Sequence, residues 1–176
     1  MNFVADNPRQ HLLHAAARFI DNVKGFSGVI QIAVVGSILT TKRNPKDIDL
    51  LVFIADNADL SEIAAAGRRL KGHAQTRNLG ADIFLADEKM RYIGRTCGWK
   101  VCEIGMRMAC RADHCGGRKY LYDDLSDLRL HPDLVKNPPL VVWPSISRAT
   151  KIPNDVVEAL CTPHLLPVQN PALKLS

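Results

Sequence analysis

Long apolar runs are missing from this sequence. None approaches the ~20 residues that a membrane-spanning helix needs. The opening MNFVADNPRQHLLHAAA places an acid and a proline where a secretory signal carries basic and then apolar residues. A cytoplasmic location is the expectation. Aromatic residues are scarce, at 6%, which argues against a nucleic-acid binder built on rows of stacking platforms. Trp99 and Trp143 are therefore expected in the core. The five cysteines cannot all pair within one chain, and without an export signal reduced thiols are expected. Internal repeats and low-complexity tracts are absent, and so is the G-x-x-x-x-G-K-[ST] pattern of a P-loop.

What is present fits one globular domain. The chain has 176 residues, 47% hydrophobic and 23% charged, enough to bury a real core. The net charge of +5 favours an anionic partner, although a solvated basic surface gives the same balance. Pro8 to Lys24 reads as an amphipathic helix, with Leu12, Ala16, Phe19, Ile20 and Val23 at helical spacing. Val29 to Val35, Asp47 to Ile54 and Ala81 to Ala86 read as strands, and Asp59 to about Lys71 as a second helix capped by Asp59 or Ser61. Beyond Lys89 the pattern loosens into pieces of helix or strand, with Lys119–Tyr122 and Leu140–Trp143 as further short strands. Prolines at 144, 153, 163, 167 and 171 suggest an irregular tail wrapped on the surface. The order of elements predicts an α/β (α+β) domain with a mixed sheet flanked by helices. Residues 1–125 would form its main part, and 126–176 an extension packed on it.

The second strand begins with two carboxylates, in DIDLLVFI. Asp47 and Asp49 point to the same face, about 7 Å apart by strand rise. Two like charges so placed raise each other's pKa or require a cation. Oxygen ligands in this arrangement suit Mg²⁺ or Mn²⁺ with phosphate oxygens completing the shell. Asp82 opens the strand ADIFLA in the same way and supplies a third carboxylate if that strand pairs with the second. Asp87, five residues on, would face away. Gly36-Ser37 closes the preceding strand, where the glycine permits close backbone approach to a phosphate and the hydroxyl can donate to it. Lys42, Arg43 and Lys46 follow and would neutralise a triphosphate.

Gly36-Ser37, a nine-residue gap and then Asp47-Ile48-Asp49-Leu50 is similar to the signature of the DNA polymerase β-like nucleotidyltransferase superfamily. Asp82, alone on a strand after a helix, resembles that superfamily's third acidic position. The likeness spans residues 29–86. It implies that Asp47, Asp49 and Asp82 hold divalent metal and catalyse, and that Gly36, Ser37, Lys42, Arg43 and Lys46 bind a nucleoside triphosphate such as ATP. A nucleoside monophosphate would pass to an acceptor hydroxyl with release of pyrophosphate. The basic balance favours RNA, tRNA or protein as acceptor, and a toxin–antitoxin partnership is one setting for such short members. The same fold without turnover, as a binding module or antitoxin, is the alternative.

Other groups of residues invite weaker readings. Arg68, Arg69 and Arg77, with Lys71 and His73, surround the end of the second helix, where cations complement the helix dipole or receive an anionic acceptor. Cys97, Cys102, Cys110 and Cys115 form two C-x4-C pairs beside His114. They suit either a structural Zn²⁺ within a nucleic-acid binder or a local set of buried thiols.

Overall fold

The computed structural model describes residues 7–102, 118–123 and 130–162. The first helix, α1 (Pro8–Val23), starts where expected. Asn7 accepts a hydrogen bond from the Arg9 amide at 3.0 Å, and Pro8 occupies the first turn, where its missing N–H costs nothing. Strand β1 (Val29–Val35) follows, then a short 3₁₀ turn at Ser37–Leu39 and strand β2 (Asp47–Ile54). Helix α2 (Leu60–Gln75) is capped by the Asp59 side chain on the Ser61 amide and leads into β3 (Gly80–Ala86). It runs one turn past Gly72, because Ala74 is fully buried and rewards continuation.

Beyond β3, strands β4 (Tyr92–Thr96) and β5 (Leu121–Tyr122) precede a short helix, α3 (Pro132–Lys136). Strands β6 (Leu140–Trp143) and β7 (Ser147–Arg148) come next. A final helical turn, α4 (Asn154–Val156), widens into a π-helical turn at Val157–Cys161. Between Pro144 and Thr162 the chain is thus less irregular than its prolines suggest; Pro163, Pro167 and Pro171 lie outside the described residues. Ile152, Val156 and Leu160 recur every four residues and are buried in the main core, so helical packing overrides the proline signal there.

The seven described strands join one mixed sheet, in the order β5-β4-β3-β2-β1-β6-β7. Only β2 and β3 run parallel, joined by α2 as a βαβ crossover; every other neighbouring pair is antiparallel. β2 lies at the centre and is covered on both faces, which explains its almost unbroken apolar run. Ile48, Leu50, Val52 and Ile54 join the helices α1 and α2 in the larger core. Leu51 and Phe53 face the other side with Ala33, Val35, Phe84 and Ala86, where Val135 of α3 covers them. By strand alternation Asp47 and Asp49 lie on that second face, beyond Leu51, and Asp82 lies on it beyond Phe84. No described helix is long and apolar enough to cross a membrane.

Candidate functional site

The parallel pairing of β2 with β3 sets Asp49 directly opposite Asp82, and Asp47 opposite Gly80. On its other side Asp49 is paired with Val35, the last residue of β1. Neighbouring strands lie about 4.8 Å apart, so the three carboxylates share one end of one sheet face. The turn after β1 closes over them. Gly36 has φ +81°, and a Cβ built on it would lie 2.3 Å from Asp49 Oδ2. Only glycine satisfies both the left-handed backbone and that approach.

Electrostatics follow from this crowding. Burial first, and then the negative charges of Asp47 and Asp82, push the Asp49 carboxyl up to about 7. A group held half-protonated near neutrality is short of positive charge. Ser37 is the next residue after Gly36, and its Oγ is buried with no hydrogen-bond partner. Buried hydroxyls normally find one. A cation at Asp49 and a phosphate oxygen at Ser37 would supply what each group lacks, so Asp47, Asp49 and Ser37 fit a metal–phosphate ligand.

Asp82 is met differently. Arg95 of β4 donates through Nη1 to Asp82 Oδ1 at 3.0 Å, and its guanidinium lies 5.6 Å from the centre of the Tyr122 ring. The third carboxylate therefore has a resident counter-ion. Among the described residues no three His, Cys, Asp or Glu side chains are gathered so as to hold a metal ion. The arrangement is a carboxylate pair, with the third member engaged by an arginine that sequence reasoning did not single out. An arginine in the half-buried strand YIGRT was the available signal.

The basic loop divides. Lys46 is exposed next to Asp47, and its carbonyl accepts the Gly80 amide at 2.7 Å, tying β2 to β3 at the carboxylate end. Lys42 and Arg43 instead border a separate cleft with Asn7, Arg9 and Asp155. There the buried Arg9 clamps three segments: its Nε and Nη2 donate to Asp155, and its Nη1 donates to the Lys42 carbonyl at 3.1 Å.

The α2 cations also separate. Arg68 and Lys71 reach the cleft beside Asp82, whereas Arg69 lines a second cleft against α1 with Arg18 and His73. Arg77 is exposed beyond the helix end. Asp87 does not face the carboxylates; it is buried in a turn closed by its Oδ1, which accepts from the Lys89 and Arg91 amides. Trp99, expected in the core, is 43% exposed. Cys97 and Cys102 are buried, and Cys102 Sγ accepts the Tyr120 amide at 3.4 Å. Cys110, His114 and Cys115 lie outside the described residues, so the four-cysteine grouping is described only in half.

A family model described as "Family of unknown function (DUF6932)" matches residues 1–108. That span contains every residue of the carboxylate end, Arg95 and the cations of α2. No curated protein matches the chain, and no solved structure does.

Proposed function

The chain belongs to the family of unknown function DUF6932, and we propose that it is a metal-dependent nucleotidyltransferase. The observation that carries this reading is the Val35–Asp49–Asp82 register with Gly36 folded onto Asp49. It folds the glycine turn onto a carboxylate that needs positive charge, and the residue after that glycine carries an unpartnered hydroxyl.

Asp47 and Asp49 are the residues that would hold a divalent cation, Mg²⁺ or Mn²⁺, with Asp82 joining them. When bound, that cation neutralises the phosphates of a nucleoside triphosphate and polarises the reacting phosphorus. The protein's own part is positioning. Ser37 Oγ donates to a phosphate oxygen, and Lys46 offsets charge at the exposed edge. Asp82, once parted from Arg95, accepts the proton of the acceptor hydroxyl on a carboxylate oxygen. That hydroxyl oxygen bonds to the α-phosphorus, the bond to the β-phosphate oxygen breaks, and pyrophosphate leaves with the electron pair. Catalysis of this kind rests on alignment and charge.

Incubation with α-labelled nucleoside triphosphates, Mg²⁺ and cell extract tests the proposal. Label should appear in a macromolecule and fall ~100-fold or more with Asp49→Ala, the scale of losing a principal electrostatic contact. Transfer from γ-labelled but not α-labelled triphosphate would overturn it.

One observation favours a second reading. Asp82 is already neutralised by Arg95, as suits a module that holds a nucleotide without turnover. Saturable triphosphate binding with no label transfer from any nucleotide would select this reading.

A further inference from the structure

The cleft beside Asp82 has no role in the triphosphate grip proposed above. It opens where α2, the start of β3 and the end of β4 meet, and Arg68, Lys71, Asp82, Arg95 and Tyr122 are among the residues that line it. Gly67 permits the close approach: a Cβ there would lie 3.1 Å from Thr96 Oγ1 and 3.3 Å from Ile83 Cγ1. Because α2 lies this near β4, two of its cations reach the same cleft as Arg95.

Among the described residues that line the cleft, three are cations and one, Asp82, is a carboxylate that belongs to the candidate metal set. Arg68 Nη1 donates to the backbone carbonyl of Trp99 at 2.8 Å, one residue past Gly98 of the cleft lining. Tyr122 lies under the Arg95 guanidinium. Cations together with the Tyr122 ring suit a nucleotide unit, whose phosphate and base use both. An acidic peptide would use the cations alone.

Resting on the nucleotidyl-transfer reading, we propose that Arg95 is an exchangeable counter-ion that couples acceptor to metal. With the cleft empty it neutralises Asp82. When the phosphodiester of a single-stranded RNA acceptor enters between Arg68, Lys71 and Arg95, the guanidinium turns to that anion and Asp82 becomes free to ligate the cation. Acceptor and divalent cation then bind with positive cooperativity, because each favours the arrangement in which Arg95 has left Asp82. The protein is held back from metal-loaded turnover until an acceptor is present.

The test is binding, without triphosphate and without turnover. Free Mn²⁺ is measured by electron paramagnetic resonance on the full chain, with and without a short single-stranded oligoribonucleotide. Quenching of Trp99 emission reports the oligonucleotide, with Trp99→Phe as control. The oligonucleotide should raise Mn²⁺ affinity by about five-fold or more, within the ordinary range of coupling. Mn²⁺ should tighten the oligonucleotide by the same factor. Asp82→Asn should abolish the coupling yet tighten the oligonucleotide, since its guanidinium partner is released. Arg95→Gln should bind Mn²⁺ well regardless of oligonucleotide. Lys71→Ala, at an exposed helix position, should weaken the oligonucleotide and leave Mn²⁺ binding in its absence unchanged.

Equal Mn²⁺ affinity with and without oligonucleotide overturns the proposal, and so does weaker oligonucleotide binding by Asp82→Asn. Equal coupling by hexaglutamate overturns the choice of a nucleic-acid acceptor. Coupling without any label transfer refutes the enzymatic reading alone, and label transfer without coupling refutes this inference alone.

Discussion

A Cβ on Gly36 would fall 2.3 Å from the Oδ2 of Asp49. The carboxylate lies against bare backbone, so the first turn after β1 and the second carboxylate of β2 cannot be altered independently. Gly36→Ala meets both this contact and a φ of +81°. It should destabilise the fold by about 2–4 kcal/mol, strain and overpacking together. In an Asp49→Ala background the 2.3 Å clash is gone and the backbone strain remains with a 3.3 Å contact to the Cβ of residue 49, so the cost should fall to about 1–2 kcal/mol. Urea denaturation of the four proteins measures the coupling. Strict additivity would mean that the contact relaxes without cost.

The Asp49 carboxyl gives the protein an unusual dependence on pH. Its folded-state pKa is raised from 3.8 to about 7. Below pH 4 both states carry the proton. Between about 4 and 7 the unfolded chain ionises while the folded chain holds on, so stability from this group declines as pH rises through that window. Above 7 the penalty is complete, on the order of 1–3 kcal/mol once solvent screening of a half-buried group is allowed for. Asp49→Asn should flatten the decline and raise the melting temperature at pH 8. Mg²⁺ should stabilise the wild type more at pH 8 than at pH 5.5, with proton release on binding, and should leave Asp49→Asn almost unmoved. Thermal melts across pH with and without Mg²⁺ decide it; an unchanged slope in Asp49→Asn would remove Asp49 as the cause.

The strands that carry the carboxylates were legible because their signal is local. Alternation along DIDLLVFI and ADIFLA fixes which side chains share a face, and the apolar run behind Asp49 marks a doubly covered strand. Register is not local. That Asp49 lies opposite Asp82 depends on where α2 delivers β3, and α2 itself runs a turn beyond Gly72 because Ala74 finds a buried seat. Arg95 was missed for the same reason: its meaning comes from pairing across to Phe84, which directs it back toward Asp82. Trp99 illustrates the reverse error, since large aromatic character alone suggested burial.

Ser37 offers a separable test of the nucleotide grip. Its Oγ is buried without a partner, so the hydroxyl costs stability in the empty protein. Ser37→Ala should leave the fold unchanged or stabilise it by up to about 1 kcal/mol. The same change should weaken binding of a fluorescent nucleoside triphosphate by about ten-fold, the value of one hydrogen bond to a charged group. Calorimetric melting and fluorescence titration read the two effects apart. A stabilised variant with undiminished triphosphate affinity would take Ser37 out of the site.

The last prediction concerns Arg9, which is 7% exposed and joins the first turn of α1 to Asp155 of α4 and to the carbonyl of Lys42. This one guanidinium fixes the start of the loop that leads to Asp47, so its loss should be felt at the site as well as in stability. Arg9→Ala leaves an unpaired carboxylate and an unmet carbonyl and should cost about 2–4 kcal/mol. Asp155→Asn keeps one of the two acceptors and leaves the bond from Arg9 to the Lys42 carbonyl in place, so it should cost less, about 1–2 kcal/mol. Arg9 also holds the Asp155 carboxyl below its usual range. The stability it contributes is present above the unfolded carboxylate pKa and is lost as pH falls through the lower folded value, opposite in sign to Asp49. The two groups therefore bend the stability curve in different windows. Deleting Asp155 should change the acid limb alone, and deleting Asp49 the limb between 4 and 7. If limited proteolysis also finds the 40–46 loop more readily cleaved in Arg9→Ala than in Asp155→Asn, the bond to the Lys42 carbonyl is what orders the approach to Asp47; equal cleavage would assign that order to the loop itself.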